Sequence, residues 1–159
     1  MEDVEPFAVD PGCALDPGPV MSIASSSLVA FIATRDAARA RAFYEGTLGL
    51  RFVSDSPFAL VVDSGGTTVR IQKVEALTPQ PFTALGWTVS DIAETIAELR
   101  GRGVAFESYE FLSQDALGVW TTPDGTKVAW FKDPDGNTLS LTQMGPSPAT
   151  SEARTSTAL

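Results

Sequence analysis

Apolar residues along this chain alternate between two spacings, and the order in which the spacings follow each other repeats. Leu28–Thr34 (LVAFIAT) is an apolar run of strand length, closed by Arg35-Asp36. Asp36 is a good helix N-cap, and Ala38, Ala42 and Phe43/Tyr44 then recur at helical spacing between Arg39, Arg41 and Glu45. That helix is expected to end near Leu48-Gly49, with Gly49 as the left-handed cap. Leu50–Val53, Phe58–Val62 and Thr68–Lys73 read as three short strands, separated by turns at residues 54–57 and 63–66.

The same succession begins again at Ala84–Val89, another apolar run, closed by Ser90-Asp91. Asp91 caps a helix whose Ile92, Ile96 and Leu99 fall on one face, and Gly101-Arg102-Gly103 ends it. Val104–Tyr109, Gly118–Thr121, Lys127–Phe131 and Thr138–Thr142 are the strand-like segments that follow. Turns at Pro123-Asp124-Gly125 and Asp133-Pro134-Asp135-Gly136-Asn137 divide the last three. The chain therefore reads as an α+β fold of two βαβββ units, about 28–75 and 83–144, packed into a curved mixed sheet with helices outside.

Residues 1–27 lack this patterning. Four prolines and two glycines fall among five acids, with no base, so −5 of the net −9 lies in what is expected to be a disordered acidic tail. Residues 145–159, rich in Ser, Thr and Pro, form a second expected tail, leaving 28–144 as the folded domain. Met21, just ahead of the first strand, is an alternative start to Met1. The single cysteine, Cys13, lies in the tail and can make no intrachain disulfide. No basic and apolar leader follows Met1, and no apolar run has the roughly 20 residues of a membrane helix, so a cytoplasmic location without a membrane partner is expected. The acidic balance argues against nucleic acid and weakly favours a cationic or amphipathic small molecule.

The 159 residues contain no histidine. A Ser-His-Asp triad, a Cys-His pair and an imidazole-bound metal cannot form within the chain. Acid–base chemistry falls to carboxylates, lysine, tyrosine or the substrate itself. Neither Gly101-Arg102-Gly103, which closes a helix, nor Ser64-Gly65-Gly66-Thr67, which turns a hairpin, sits where a phosphate loop needs to be.

Two segments carry a family likeness: Arg39-Ala40-Arg41-Ala42-Phe43-Tyr44 with Leu48-Gly49-Leu50 in the first unit, and Phe131-Lys132-Asp133-Pro134-Asp135-Gly136-Asn137 in the second. With the duplicated βαβββ pattern, they make residues 28–144 resemble the vicinal oxygen chelate superfamily of glyoxalases, bleomycin-resistance proteins and extradiol dioxygenases. The resemblance implies a homodimer and a ligand cavity on the concave face. It also implies metal positions on the first and last strand of each unit, which map to Val29, Arg70 (Gln72 if the register slips by two), Ala84 and Ser140. Those side chains offer no anionic or imidazole donor, so no metal and no other cofactor is expected.

Strand parity from Val29 sends Phe31 and Ala33 to the concave side, with Arg70, Gln72, Ala84, Gly86, Ser140 and Thr142. Trp87, Val89, Leu139 and Leu141 go to the core. Phe31, Arg70, Gln72, Trp120, Trp130 and Ser140 are then the expected ligand-binding residues: apolar walls with a few directional groups. Arg70 either grips an anionic group or pairs with Asp63, Glu75 or another carboxylate. Glu107, Glu110 and Asp115 are placed at the cavity mouth, as a solvated rim, a base or a site for a cation. Asp36, Asp91, Asp133 and Asp135 are assigned to caps and turns. Three functions fit: a metal-independent binder of a small aromatic or amphipathic molecule; a cofactor-free isomerase, lyase or epimerase using Arg70 and a carboxylate; or a regulatory domain without a small-molecule ligand.

Overall fold

The structure, a computed structural model, describes residues 22–146. The expected tails over residues 1–21 and 147–159, Cys13 and Met21 included, lie outside the described residues. Part of the expected N-terminal tail is structured: Ile23–Ser25 forms one 3-10 turn capped by the Ser22 hydroxyl, with no residue buried.

Eight strands form two four-stranded sheets of identical strand order. The first contains β1 (Val29–Thr34), β2 (Arg51–Asp55), β3 (Ala59–Ser64) and β4 (Thr67–Lys73), in spatial order β1-β4-β3-β2. The second contains β5 (Thr83–Thr88), β6 (Trp120–Thr121), β7 (Lys127–Lys132) and β8 (Thr138–Gln143), in the order β5-β8-β7-β6. In each, the first strand lies parallel to the last and the other pairs are antiparallel. The βαβββ repeat read from the sequence is thus present in the topology.

Both helices start where their aspartates predict. The carboxylates of Asp36 and Asp91 accept from the backbone N–H of Arg39 (3.1 Å) and Glu94 (2.9 Å). The second, α2 (Ile92–Gly101), buries Ile92, Ile96 and Leu99 against β7 and β8. The first begins as α1 (Ala37–Arg41) and widens into a π-helical turn over Ala42–Thr47. There the Leu48 N–H reaches the Phe43 carbonyl, five residues back (2.8 Å). Gly49 ends the segment at φ 75°, the conformation that favours glycine.

One expected strand does not form. Val104–Tyr109 contributes only a single bridge, Phe106 to Phe131, and a Glu107 N–H to Trp130 carbonyl bond of 2.7 Å. The outer edge of β7 is divided: β6 pairs with Lys127 and Val128, and Phe106 with Phe131. Residues 105–119 instead form a loop pinned by Gln114, which accepts from the Tyr109 N–H (2.6 Å) and donates to the carbonyls of Glu107 and Gly118.

Strand parity holds across β1, β3 and β4 of the first sheet, but in the second a register shift between Thr83 and Leu85 interrupts it and Ser140 is buried along with Leu139 and Leu141. Ile32, Thr34, Val69, Ile71, Leu60 and Val62 are buried, whereas Val29, Phe31, Arg70 and Gln72 are exposed on the opposite face. Leu139 and Leu141 lie in the core with Phe131, and Trp87 and Val89 pack half-buried against it. Phe131 is the centre of this core, with ring centroids of Phe106, Trp87 and Phe43 at 5.4, 6.4 and 6.5 Å.

The units are joined at both hairpins. The indole N–H of Trp87 on β5 donates to the Ser64 hydroxyl at the β3–β4 turn (2.8 Å). The β7–β8 turn reciprocates on β1. Asp135 accepts from the Thr34 hydroxyl (2.5 Å) and the Arg35 N–H (2.9 Å), and Asn137 donates its amide to the Ala33 carbonyl (3.0 Å). Beside them the fully buried Tyr44 donates its hydroxyl to Asp133 (2.8 Å). Burial, and then the charge of Asp133, push the Tyr44 phenol far above the usual tyrosine range, so it stays a neutral donor. Asp133 and Asp135, assigned from sequence only to a turn, are therefore buried members of a clasp between the units.

The same close fit appears where β5 meets β8. Gly86 is the register partner of Ser140, and a Cβ at position 86 would stand 2.6 Å from the Ser140 hydroxyl oxygen. Gly86→Ala is expected to lower stability by about 1–3 kcal/mol through overpacking. Adding Ser140→Ala should recover most of it. Urea unfolding checks this, and a Gly86→Ala variant as stable as the parent would refute it. No helix among the described residues is long and apolar enough to cross a membrane.

Candidate functional site

The open face of the second sheet carries the site. Trp130 on β7 alternates with Phe131, so the indole faces out while the phenyl ring enters the core. Trp120 on β6 stacks beside it, centroids 6.2 Å apart and planes 28° apart. From the 105–119 loop, Tyr109 meets Trp130 edge-on at 5.7 Å, and Phe111 meets Tyr109 at 5.5 Å. Pro81 and Phe82, just before β5, supply the opposite wall.

Between these walls lies an open cleft of about 430 Å³, within the roughly 300–1,000 Å³ typical of small-ligand pockets. Thr83, Thr138 and Lys132 form its floor, and Leu112 completes the loop side. Phe82 and Phe111 are 63% and 82% exposed, so two large rings stand in water at the cleft walls.

The polar groups are few and specific. The Trp130 indole N–H donates to the Thr83 hydroxyl (3.1 Å), fixing the ring plane. Lys132 donates to the Thr138 hydroxyl (3.3 Å). Desolvation, and then the Glu107 charge, raise the Tyr109 phenol above its usual value, so it too is neutral and able to donate.

The six residues expected from sequence divide between the two sheets. Trp130 lines the cleft, Trp120 backs it, and Ser140, the register partner of Trp130, is buried over Gly86 and does not reach it. Phe31 lies in a smaller neighbouring depression, with Ala84, that shares Phe82 and Thr138 with the cleft. Arg70 and Gln72 are exposed on the first sheet, Arg70 as the register partner of Phe31, and neither lines the cleft. Asp63, one of the acids considered as a partner for Arg70, pairs with Arg51 (3.7 Å). Among the described residues Arg70 makes no ion pair.

The rim acids are likewise not gathered at one point. Asp115 accepts from the N–H groups of Leu117 (2.8 Å) and Val119 (3.0 Å) and so holds the loop, and among the described residues no carboxylate lines the cleft. Thr138 was legible from parity, two residues from Ser140, whereas Thr83, next to Ala84, reaches the same face only through the register shift between Thr83 and Leu85, and Lys132 follows Trp130, whose facing the sequence left open. Tyr109, Phe111, Phe82, Pro81 and Leu112 come from irregular segments, where no periodicity points to them.

The four positions mapped for a metal, Val29, Arg70, Ala84 and Ser140, provide two alkyl groups, a cation and a neutral hydroxyl. That donor set does not fit a divalent metal. Among the described residues no three His, Cys, Asp or Glu side chains come together in a group that could hold one.

A family model, Glyoxalase/Bleomycin resistance protein/Dioxygenase superfamily, matches residues 26–141. No curated protein matches the chain. Among solved structures, a member of the same superfamily from Sphaerobacter thermophilus DSM 20745 is similar at 28% identity and TM-score 0.60, covering 75% of this chain and 97% of that one. TnmS3, an antibiotic binding protein from Streptomyces sp. CB03234, is similar at 27% identity and TM-score 0.58, covering 75% and 95%. A lactoylglutathione lyase from Agrobacterium tumefaciens, 19% identical with TM-score 0.55 and covering 75% and 93%, shares the fold.

Proposed function

The chain belongs to the glyoxalase/bleomycin resistance protein/dioxygenase superfamily, and from that premise we propose that it is a metal-independent binding protein for a small aromatic or amphipathic molecule, acting in sequestration or resistance. The observation that carries this reading is the aromatic cleft: Trp130, Tyr109, Phe111 and Phe82 around about 430 Å³, open to solvent. Flat faces at two angles suit a planar ring system held by offset and edge-on stacking. The antibiotic-binding relative supports the same reading. Catalysis by Arg70 and a carboxylate lacks this support, because Arg70 does not line the cleft and, among the described residues, neither does an acid. The reading keeps the expectation of a cytoplasmic homodimer.

Isothermal titration against a panel of polycyclic aromatic antibiotics tests it. At least one is expected to bind, with affinity unchanged by chelator. Trp130→Ala should weaken that binding on the order of 10- to 100-fold, the effect of removing a buried aromatic anchor. Absence of binding at millimolar ligand across the panel, or affinity abolished by chelator, would overturn the proposal.

A further inference from the structure

Resting on that reading, we propose that the cleft selects planar aromatic anions, aromatic carboxylates in particular, and that Lys132 with Thr83 and Thr138 forms the anion-recognising row. Thr83 and Thr138 are register partners on β5 and β8, and Thr138 and Lys132 are register partners on β8 and β7. The three side chains therefore stand in line across three adjacent strands, on the face that carries Trp130, and all four line the cleft.

Each member of the row has a donor to spare. Lys132 has three N–H donors and uses one on the Thr138 hydroxyl, and among the described residues it makes no ion pair. Thr138 and Thr83 receive hydrogen bonds from Lys132 and from the Trp130 indole, and neither hydroxyl donates to a protein acceptor among the described residues. Their protons are left to point into the cleft. A ligand group facing this floor meets donors and one positive charge. A carboxylate, which only accepts, satisfies them all, whereas an ammonium satisfies none.

Glu107 raises the Tyr109 phenol but does not line the cleft, and no other carboxylate lines it among the described residues. The local field thus runs opposite to the overall acidity of the chain, −9 in total with −5 in residues 1–27. The weak preference for cations read from net charge does not extend to this floor.

Three probes of matched ring and different charge test the proposal by isothermal titration on the full chain: 2-naphthoate, 2-naphthamide and 2-naphthylmethylammonium. Naphthoate is expected to bind on the order of ten-fold tighter than the amide, and the ammonium weakest. Lys132→Met should bring naphthoate to the affinity of the amide while leaving the amide within about two-fold, and Lys132→Arg should keep the preference. Equal affinity for the three probes would overturn the charge selectivity, and a preference that survives Lys132→Met would overturn its assignment to Lys132; either leaves aromatic binding standing. No binding of any probe would overturn both.

Discussion

Replacing Asp133 by alanine is expected to lower the unfolding free energy by about 3–5 kcal/mol, the range for removing one partner of a buried charged network. The carboxylate holds four donors: the Tyr44 hydroxyl (2.8 Å), the Asn137 amide (2.8 Å), and the N–H groups of Asn137 (2.9 Å) and Asp135 (3.0 Å). Among the described residues no fully buried side-chain N or O lacks a partner. Alanine at 133 would strand several at once, each at roughly 1–3 kcal/mol if buried and unpaired. Tyr44→Phe removes one donor and leaves the carboxylate three, so it should cost less, about 1–2 kcal/mol.

Urea unfolding with both variants gives the ranking. Asp124, exposed on the β6–β7 turn, is the control, and an Asp133→Ala variant no less stable than Asp124→Ala would refute the clasp. A pH signature accompanies it. Because the folded state holds the Tyr44 proton more tightly than the unfolded chain, the folded protein binds more protons above the ordinary tyrosine value of about 10. Stability should therefore fall as pH rises past about 10, and the fall should be shallower in Tyr44→Phe.

The second large effect is expected at Phe131, where alanine should cost about 3–5 kcal/mol and leucine much less. The ring is fully buried and packs on Phe43 from the first unit, Trp87 from β5 and Phe106 from the loop. A cavity there would loosen both units together and release the loop that carries Tyr109 and Phe111. Phe131→Ala should thus unfold in a single transition with a lower midpoint and, before unfolding, expose its tryptophans to a quencher more than the parent does. A two-step transition, with one unit melting first, would show that Phe131 does not couple them.

Residue type and spacing made local structure legible. Asp36 and Asp91 cap helices because a short carboxylate reaches the N–H three residues on, wherever the rest of the chain lies. Strand parity, fixed by backbone geometry, correctly separated Ile32 from Phe31 and Leu139 from Ser140's face. Parity also placed Arg70 and Gln72 on an open face, but it carries no information on which open faces adjoin, so residues from two sheets were assigned to one cavity.

What the sequence determined by itself was the duplicated βαβββ pattern, its caps and turns, the facing of the regular strands of the first unit and the exclusion of imidazole chemistry, all matters of local geometry and composition. Only the tertiary structure decided the rest. The Val104–Tyr109 segment meets β7 only at the Phe106–Phe131 bridge and the Glu107 N–H to Trp130 carbonyl bond, on an edge it shares with β6. Asp133 and Asp135 became the clasp because Tyr44 and Thr34, 89 and 101 residues away, arrive beside them. The cleft took its chemistry from Thr83, Thr138 and Lys132, which stand in line through hydrogen-bond register between strands distant in sequence. Long-range contacts of this kind depend on how whole elements pack, and no local spacing encodes them.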